Sequence, residues 1–287
     1  MNFCPPILRD KLTQFISEDI GFEDITTEAL IDNSIQADAV VICNEKAVVA
    51  GMRVVSLLFT TSDCQVKLQV TDGEEIYNQG KIMTISGSAK TILQLERTAL
   101  NVISRMSGIA TQTRKYLRKV KKVNPQTKVA STRKTAPGLL YLDKEAVKIG
   151  GGDTHRFRLD DSFLVKDNHL RIVGSVEEAM RRVKDHMSFT KKVEVEATST
   201  TQAIQAVKAG ADIVMLDNMS PNQVRHAISS LKRRGLRDNV IIEASGEINL
   251  TNIAEYAKEG VDIVSVGDLT HSVKSINLSL EIVKVWK

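Results

Sequence analysis

Six short apolar runs in the second half of the 287-residue chain each deliver reactive residue types at or near one end. Lys128–Ser131 leads into Thr132-Arg133-Lys134-Thr135. Phe163–Asp167 follows Gly150-Gly151-Gly152-Asp153-Thr154-His155-Arg156 and passes through Lys166 to Asn168-His169. Lys192–Ala197 carries Glu194 and Glu196, and Asp212–Asp217 ends in Asp217-Asn218. Asn239–Ser245 ends in Ser245-Gly246, and Asp262–Gly267 leads to Thr270-His271-Ser272. Arg133, Lys134, Arg156 and Lys166 are thus gathered with two histidines on the early runs, and Glu196 and Asp217 on the middle ones. The last runs end in small residues with free backbone N–H groups. Cations set beside carboxylates suit a substrate rich in phosphates and carboxylates together with Mg2+. Glycine-rich strand ends that open into a helix or loop suit a terminal phosphate, which needs close backbone approach. A phosphoribosyl donor and an anionic acceptor fit this layout.

Such residues converge only if the runs are parallel strands. Helical patterns separate them. Ser175–Met187 opens with Ser175 and Glu178 as a capping box and sets Val176, Ala179, Met180 and Val183 on one face. Ser220–Arg234 has Ser220 at the N-cap, Pro221 at the first helical position, and Val224, Ala227, Ile228 and Leu231 at helical spacing. Gly210, Gly235 and Gly260 stand where helix C-caps belong. Strand–helix alternation implies a parallel sheet. About six repeats without a dinucleotide fingerprint favour a closed or nearly closed barrel over an open sheet, although periodicity alone does not separate the two.

The expected architecture is therefore α/β: an N-terminal α+β sandwich domain over residues 1–110, then a six- or seven-stranded incomplete TIM-like α/β barrel over 111–272. In the first domain a helix at Pro6–Glu18 precedes strands near Gln36–Asn44, Gln65–Thr71 and Lys81–Ser86, with a helix at Arg53–Thr60 between them. Two helices, Lys90–Met106 and Gln112–Val123, are expected on either side of Gly108. A C-terminal helix over 273–287 is expected to pack back on the first domain.

Composition narrows the function classes. Hydrophobic residues make up 42% and charged residues 26%, as in an ordinary globular protein. A net charge of +4 lacks the basic excess of a dedicated nucleic-acid binder. The basic run from Arg114 to Lys122 has the spacing of a solvated helix face, with no aromatic platform beyond Tyr116. Cys4, Cys43 and Cys64 are odd in number and widely spaced, which argues against a disulfide framework or a zinc site. No apolar stretch approaches the roughly 20 residues of a membrane span, and Met1–Asp10 lacks the apolar region of a signal peptide. A cytoplasmic protein without nucleic-acid or membrane partners is expected.

The chain resembles the quinolinate phosphoribosyltransferases nearly end to end. The resemblance is carried by Glu18–Thr27, Glu96–Asn101, Ser107–Thr111, Ser131–Thr135 with Pro137-Gly138, and Gly150–Arg156. It continues through Lys166–His169, Val193–Glu196, Leu216–Asn218, Glu243–Gly246 and Val266–Ser272. Each motif alone is weak, but their order and spacing are specific. The resemblance implies that quinolinate and phosphoribosyl pyrophosphate give nicotinate mononucleotide, pyrophosphate and CO2 in NAD biosynthesis, with Mg2+. It also implies a homodimer, or a higher assembly of dimers, with shared active sites.

By the same resemblance, Arg133, His155, Arg156 and Lys166 match quinolinate-binding cations, and Arg97 matches an arginine reaching in from the other subunit. Lys134 matches a lysine near substrate and pyrophosphate. Glu196 and Asp217 match the acidic pair at the ribose hydroxyls and Mg2+. Ser245, Gly246, Gly267 and His271 match the 5′-phosphate cradle. Lys134, Lys166, Glu196 and Asp217 are the expected catalytic set, and Glu194 is expected just behind it. His169 is as well explained by a structural hydrogen bond as by a ligand.

Some positions depart from the family pattern: Glu247 stands for a glycine at the phosphate turn, Asn44 for a basic residue that Lys46 could replace, and Leu140 for an arginine. Thr154 stands for an asparagine and Arg158 for a small residue. Two other readings stay open at this point. One is a related phosphoribosyltransferase with another acceptor, and the other is a non-catalytic phosphometabolite-binding protein.

Overall fold

The protein is described by a computed structural model that covers residues 5–287, so Cys4 lies outside the described residues. The described residues form two compact units, 5–112 with 273–287, and 113–272.

The first unit contains helices α1 (Pro5–Ile20), α2 (Ile25–Leu30) and α3 (Met52–Thr60), strands β1 (Gln36–Cys43), β2 (Ala47–Val48), β3 (Gln65–Leu68), β4 (Glu75–Ile76) and β5 (Gly80–Ser88), and the start of helix α4 (Ala89–Lys121). On β1, Ala37, Ala39, Val41 and Cys43 recur every second residue and are buried, the signature of one covered sheet face. Helix α3 buries Met52, Val54, Val55, Leu58 and Phe59. Cys43 and Cys64 are both buried free thiols.

Two sequence expectations fail here. The tail expected as a helix over 273–287 contains instead a strand, Leu278–Trp286, paired antiparallel along β1 from Gln36↔Trp286 to Cys43↔Leu278. Its Ile282, Val283, Val285 and Trp286 are β-branched or aromatic, types that suit a pleated surface once a neighbouring strand is present. The second failure is the expected break at Gly108, since α4 runs unbroken for 33 residues. A Cβ on Gly108 would stand 2.2 Å from the Lys274 carbonyl oxygen. This glycine therefore serves close backbone approach and is not a helix stop. Gly108→Ala gains about 1 kcal/mol of helix propensity but pushes the 274–275 backbone away. The expected net loss is about 2 kcal/mol, or a melting temperature lower by roughly 5 °C. Calorimetry that showed a stabilised variant would contradict this.

The second unit holds β6 (Lys128–Ala130), β7 (Phe163–Val165), β8 (Val193–Ala197), β9 (Ile213–Asp217), β10 (Ile241–Ser245) and β11 (Ile263–Ser265); the C-terminal strand is β12. They form one parallel sheet in the order β6-β11-β10-β9-β8-β7. The intervening helices are α5 (Leu140–Ile149), α6 (Asp167–Val173), α7 (Val176–His186), α8 (Thr200–Lys208), α9 (Pro221–Arg233), α10 (Ile253–Lys258) and α11 (Asp268–His271). A bridge from Ala130 to Asp153 adds a seventh position beyond β6. No ladder joins β7 to that edge among the described residues, so the sheet is not hydrogen-bonded into a closed barrel.

Helix starts follow the capping signals. Ser175 and Ser199 accept from the N–H groups of Glu178 and Gln202. Ser220 and Gln223 form a full capping box. At Ser175 the box is half made, because the Glu178 carboxylate turns to Arg181 and Arg182. Among the described residues no helix is long and apolar enough to cross a membrane.

Candidate active site

Parallel strands direct their carboxyl ends to one edge of the sheet, and period-two alternation decides which side chains line it. Glu194 and Glu196 share a face of β8, Met215 and Asp217 a face of β9, and Glu243 and Ser245 a face of β10. In the ladders Glu196 pairs with Met215, Met215 with Glu243, and Asp217 with Ser245. A cavity of about 610 Å3 opens there. Its walls carry Arg133, Lys134, His155, Arg156, Lys166, Glu196, Asp217, Ser245 and Gly246, all expected from the sequence. Gly267 and His271 stand beside it. A Cβ on Gly267 would lie 3.0 Å from the His271 ring and 3.4 Å from Lys134 Cδ. Arg97 lies exposed on α4 and is not part of the cavity wall.

The two charge types interlock. Lys166 Nζ donates to Glu196 Oε1 at 2.9 Å, and the Asp167 N–H reaches Glu196 Oε2 at 3.3 Å. Burial raises the Asp217 carboxyl above its ordinary value, and the like charge of Glu196 adds to this, while Lys166 and Lys134 oppose it. Burial lowers the Arg156 guanidinium from its ordinary value, and the neighbouring charge of Arg133 lowers it further. Two guanidiniums that repel one another raise the positive potential of this wall, which favours an anionic ligand. His169 resolves as structural, because its Nδ1 accepts the Lys166 N–H at 2.9 Å.

The turn after β10 is built on left-handed backbone. Gly246 has φ +99°, and a Cβ there would meet Asn218 Oδ1 at 2.2 Å and the Asn218 nitrogen at 2.7 Å. Glu247 also has positive φ, +48°, and lines the cavity. A glycine would adopt that conformation without strain, whereas the glutamate in this chain carries a Cβ there. Asn44 is tied within its own unit, with Nδ2 donating to Ser279 Oγ at 3.2 Å, and Lys46 Nζ lies 5.1 Å from the Tyr77 ring centroid.

Sequence reasoning did not place Glu243 in the site. Its Oε2 lies 3.3 Å from His155 Nε2, and Glu194 Oε2 lies 3.2 Å from the same nitrogen. Ser265 Oγ donates to Glu243 Oε1 at 2.5 Å. The available signal was the period-two step from Ser245 back to an acid in a strand buried on both faces. Desolvation alone would lower the His155 imidazole, but the two glutamates at ion-pair distance outweigh it and raise it to about 10. Burial raises Glu194, while the bond to His155 opposes that.

Comparison with known proteins agrees with this geometry. Residues 24–107 match the family model described as quinolinate phosphoribosyl transferase, N-terminal domain, and residues 109–281 match its C-terminal domain. A protein of Methanothermobacter thermautotrophicus described as a probable nicotinate-nucleotide pyrophosphorylase (carboxylating) is 50% identical over 275 residues, covering 96% of this chain and 99% of that one. The human nicotinate-nucleotide pyrophosphorylase (carboxylating) is 34% identical over 254 residues, covering 88% of this chain and 85% of that one. The crystal structure of NadC from Streptococcus pyogenes superposes with a TM-score of 0.91 at 37% identity, covering 99% of this chain and 100% of that one.

Proposed function

The chain belongs to the quinolinate phosphoribosyl transferase family, and on that premise we propose that it converts quinolinate and phosphoribosyl pyrophosphate to nicotinate mononucleotide, pyrophosphate and CO2 in NAD biosynthesis. The observation that carries this is one cavity in which Arg133, Arg156, His155 and Lys166 face the acid pair Glu196 and Asp217. The pyridine nitrogen attacks the anomeric carbon while the bond to pyrophosphate breaks. The transition state is oxocarbenium-like, and carboxylates fixed beside it stabilise its positive charge. The bond from ring carbon to the adjacent carboxylate then breaks, its electron pair stays on the carbon next to the cationic nitrogen, and a proton replaces CO2. Arg133 and Arg156 supply forked donors for the two acceptor carboxylates.

Glu196 and Asp217, hard oxygen donors on adjacent strands of one cavity, suit Mg2+ shared with substrate phosphates. When bound, the ion would neutralise charge on the departing pyrophosphate. Ser245, Gly246, Gly267 and His271 form the 5′-phosphate cradle in this reading, with Lys134 between cradle and pyrophosphate. The working state is a homodimer, or an assembly of dimers, in which Arg97 completes the partner's site, and the compartment is the cytoplasm. The test mixes protein, quinolinate, phosphoribosyl pyrophosphate and Mg2+, with nicotinate as control acceptor. Nicotinate mononucleotide and CO2 from quinolinate alone are expected. Product from nicotinate, or from neither acceptor, would defeat the reading.

A further inference from the structure

His155 is held more firmly than a simple ligand contact requires. Its φ of +52° is left-handed, a conformation that costs a non-glycine residue about 1–2 kcal/mol. Three groups impose it. Asp153 Oδ1 accepts the His155 N–H at 2.9 Å. Ser131 Oγ donates to the Thr154 carbonyl at 3.1 Å. Lys144, fully buried on α5, donates to the carbonyls of Thr154 and Arg156 on either side. The ring is thereby pointed with Nε2 between two carboxylates that are 2% and 0% exposed. Glu194 Oε1 and Glu243 Oε2 are buried with no hydrogen-bond partner, and His155 lies within ion-pair distance of both carboxylates, with Arg156 adding positive charge toward Glu194.

We propose that Glu243 and Glu194 are positioning residues for acceptor binding, which hold His155 as a cation and leave its Nδ1–H as the ring donor for the substrate. The inference rests on the dicarboxylate acceptor proposed above. Two buried carboxylates without an intervening cation would face each other uncompensated, at a cost the fold avoids by keeping the imidazolium. Other charged groups around this segment are Asp153, Arg156 and Asp161, Lys144 from α5 and Arg133 from the loop after β6. An unpaired histidine titrates near 6.5 and would be mostly neutral at cellular pH. The glutamate pair keeps the proton in place up to about pH 10, so acceptor binding gains a flat donor whose charge does not vary with physiological pH.

The test uses protein with 15N-labelled histidine, the His155 signal being assigned by its loss in His155→Gln. In the wild type His155 should stay doubly protonated from pH 6 to 9, and the quinolinate Kd from calorimetry should change less than about threefold between pH 6.5 and 8.5. In Glu243→Gln, His155 should lose its proton below pH 8, and quinolinate binding should weaken about tenfold or more across the same interval. Glu194→Gln should do the same, which covers a Glu243 variant that does not fold. A wild-type His155 that titrates near 6.5 would overturn the proposal. So would a variant Kd raised by the same factor at both pH values, which marks a merely structural loss. A divalent metal co-purifying on the three residues would also overturn it, because His155 would then be a neutral ligand. Wild-type protein with charged His155 that binds no quinolinate would instead defeat the acceptor reading and leave the ion triad standing.

Discussion

Arg133→Ala is expected to lower kcat/KM for quinolinate at least a thousandfold, which is about 4 kcal/mol of lost transition-state stabilisation. The melting temperature should move by no more than about 2 °C, because the side chain is exposed at the cavity wall and surface truncations stay within about 0.5 kcal/mol. The size of the activity loss follows from what remains. A carboxylate brought into the cavity without its guanidinium is desolvated and unpaired, which typically costs 2–5 kcal/mol. Arg133→Lys should recover little, because an ammonium cannot make two parallel bonds to one carboxylate. Lys166→Ala should abolish turnover as well, by a different route. It removes the 2.9 Å partner of Glu196, whose side chain is only 10% exposed, and leaves that carboxylate facing Asp217 without the intervening cation. Its stability should therefore fall by about 1–2 kcal/mol where Arg133→Ala leaves it unchanged. Near-wild-type rates in both variants would defeat the site assignment.

Much of this site is legible in the sequence because its parts are local. A strand end, a period-two step and a cap each occupy a few residues, so Lys166, Glu196, Asp217 and Ser245 can be placed on the cavity side before any tertiary contact is known. What escapes is set by partners distant in the chain. His155 lies within ion-pair distance of Glu243, 88 positions away in the sequence and three strands across the sheet. Helix and strand compete for the last ten residues until β1 supplies a ladder. Gly108 looks like a helix stop until the 274–275 backbone crosses it. Closure of the sheet is likewise a global property that apolar runs do not encode.

The ion triad also sets a pH dependence of stability. The folded-state value of His155 lies above the ordinary 6.5, so its contribution is complete below about pH 6.5 and is lost as pH rises through about 10. Lys144 has the opposite sign. Burial lowers it to about 8 from 10.5, so on its account stability rises between those values. Between pH 6.5 and 8 the His155 contribution falls as pH rises. Denaturant titrations of the wild type should show stability falling across that window, and Glu243→Gln should flatten the slope. A wild-type curve flat from 6.5 to 8 would contradict the triad.

At the turn after β10, the phosphate cradle of the proposed function, two neighbouring residues should respond in opposite directions. Gly246→Ala places a Cβ against the Asn218 backbone at a φ of +99°, and neither strand end can retreat, because the Asn218 N–H is bonded to the Ser245 carbonyl at 2.9 Å. The expected cost is about 3 kcal/mol of stability. The variant should also raise KM for phosphoribosyl pyrophosphate a hundredfold or more, because a cradle of backbone N–H groups tolerates no shift of an ångström. Glu247→Gly removes a side chain from a left-handed residue at φ +48° and takes a carboxylate out of the cavity wall. Relief of the backbone strain should offset the added chain entropy and leave stability equal or higher by up to about 1 kcal/mol. KM for the donor should fall, because the phosphate no longer meets a like charge. Steady-state kinetics in donor concentration separate the two effects. If Glu247→Gly raised KM, the carboxylate would be assisting the donor, and its place at the turn would be a functional choice of this chain instead of a tolerated strain.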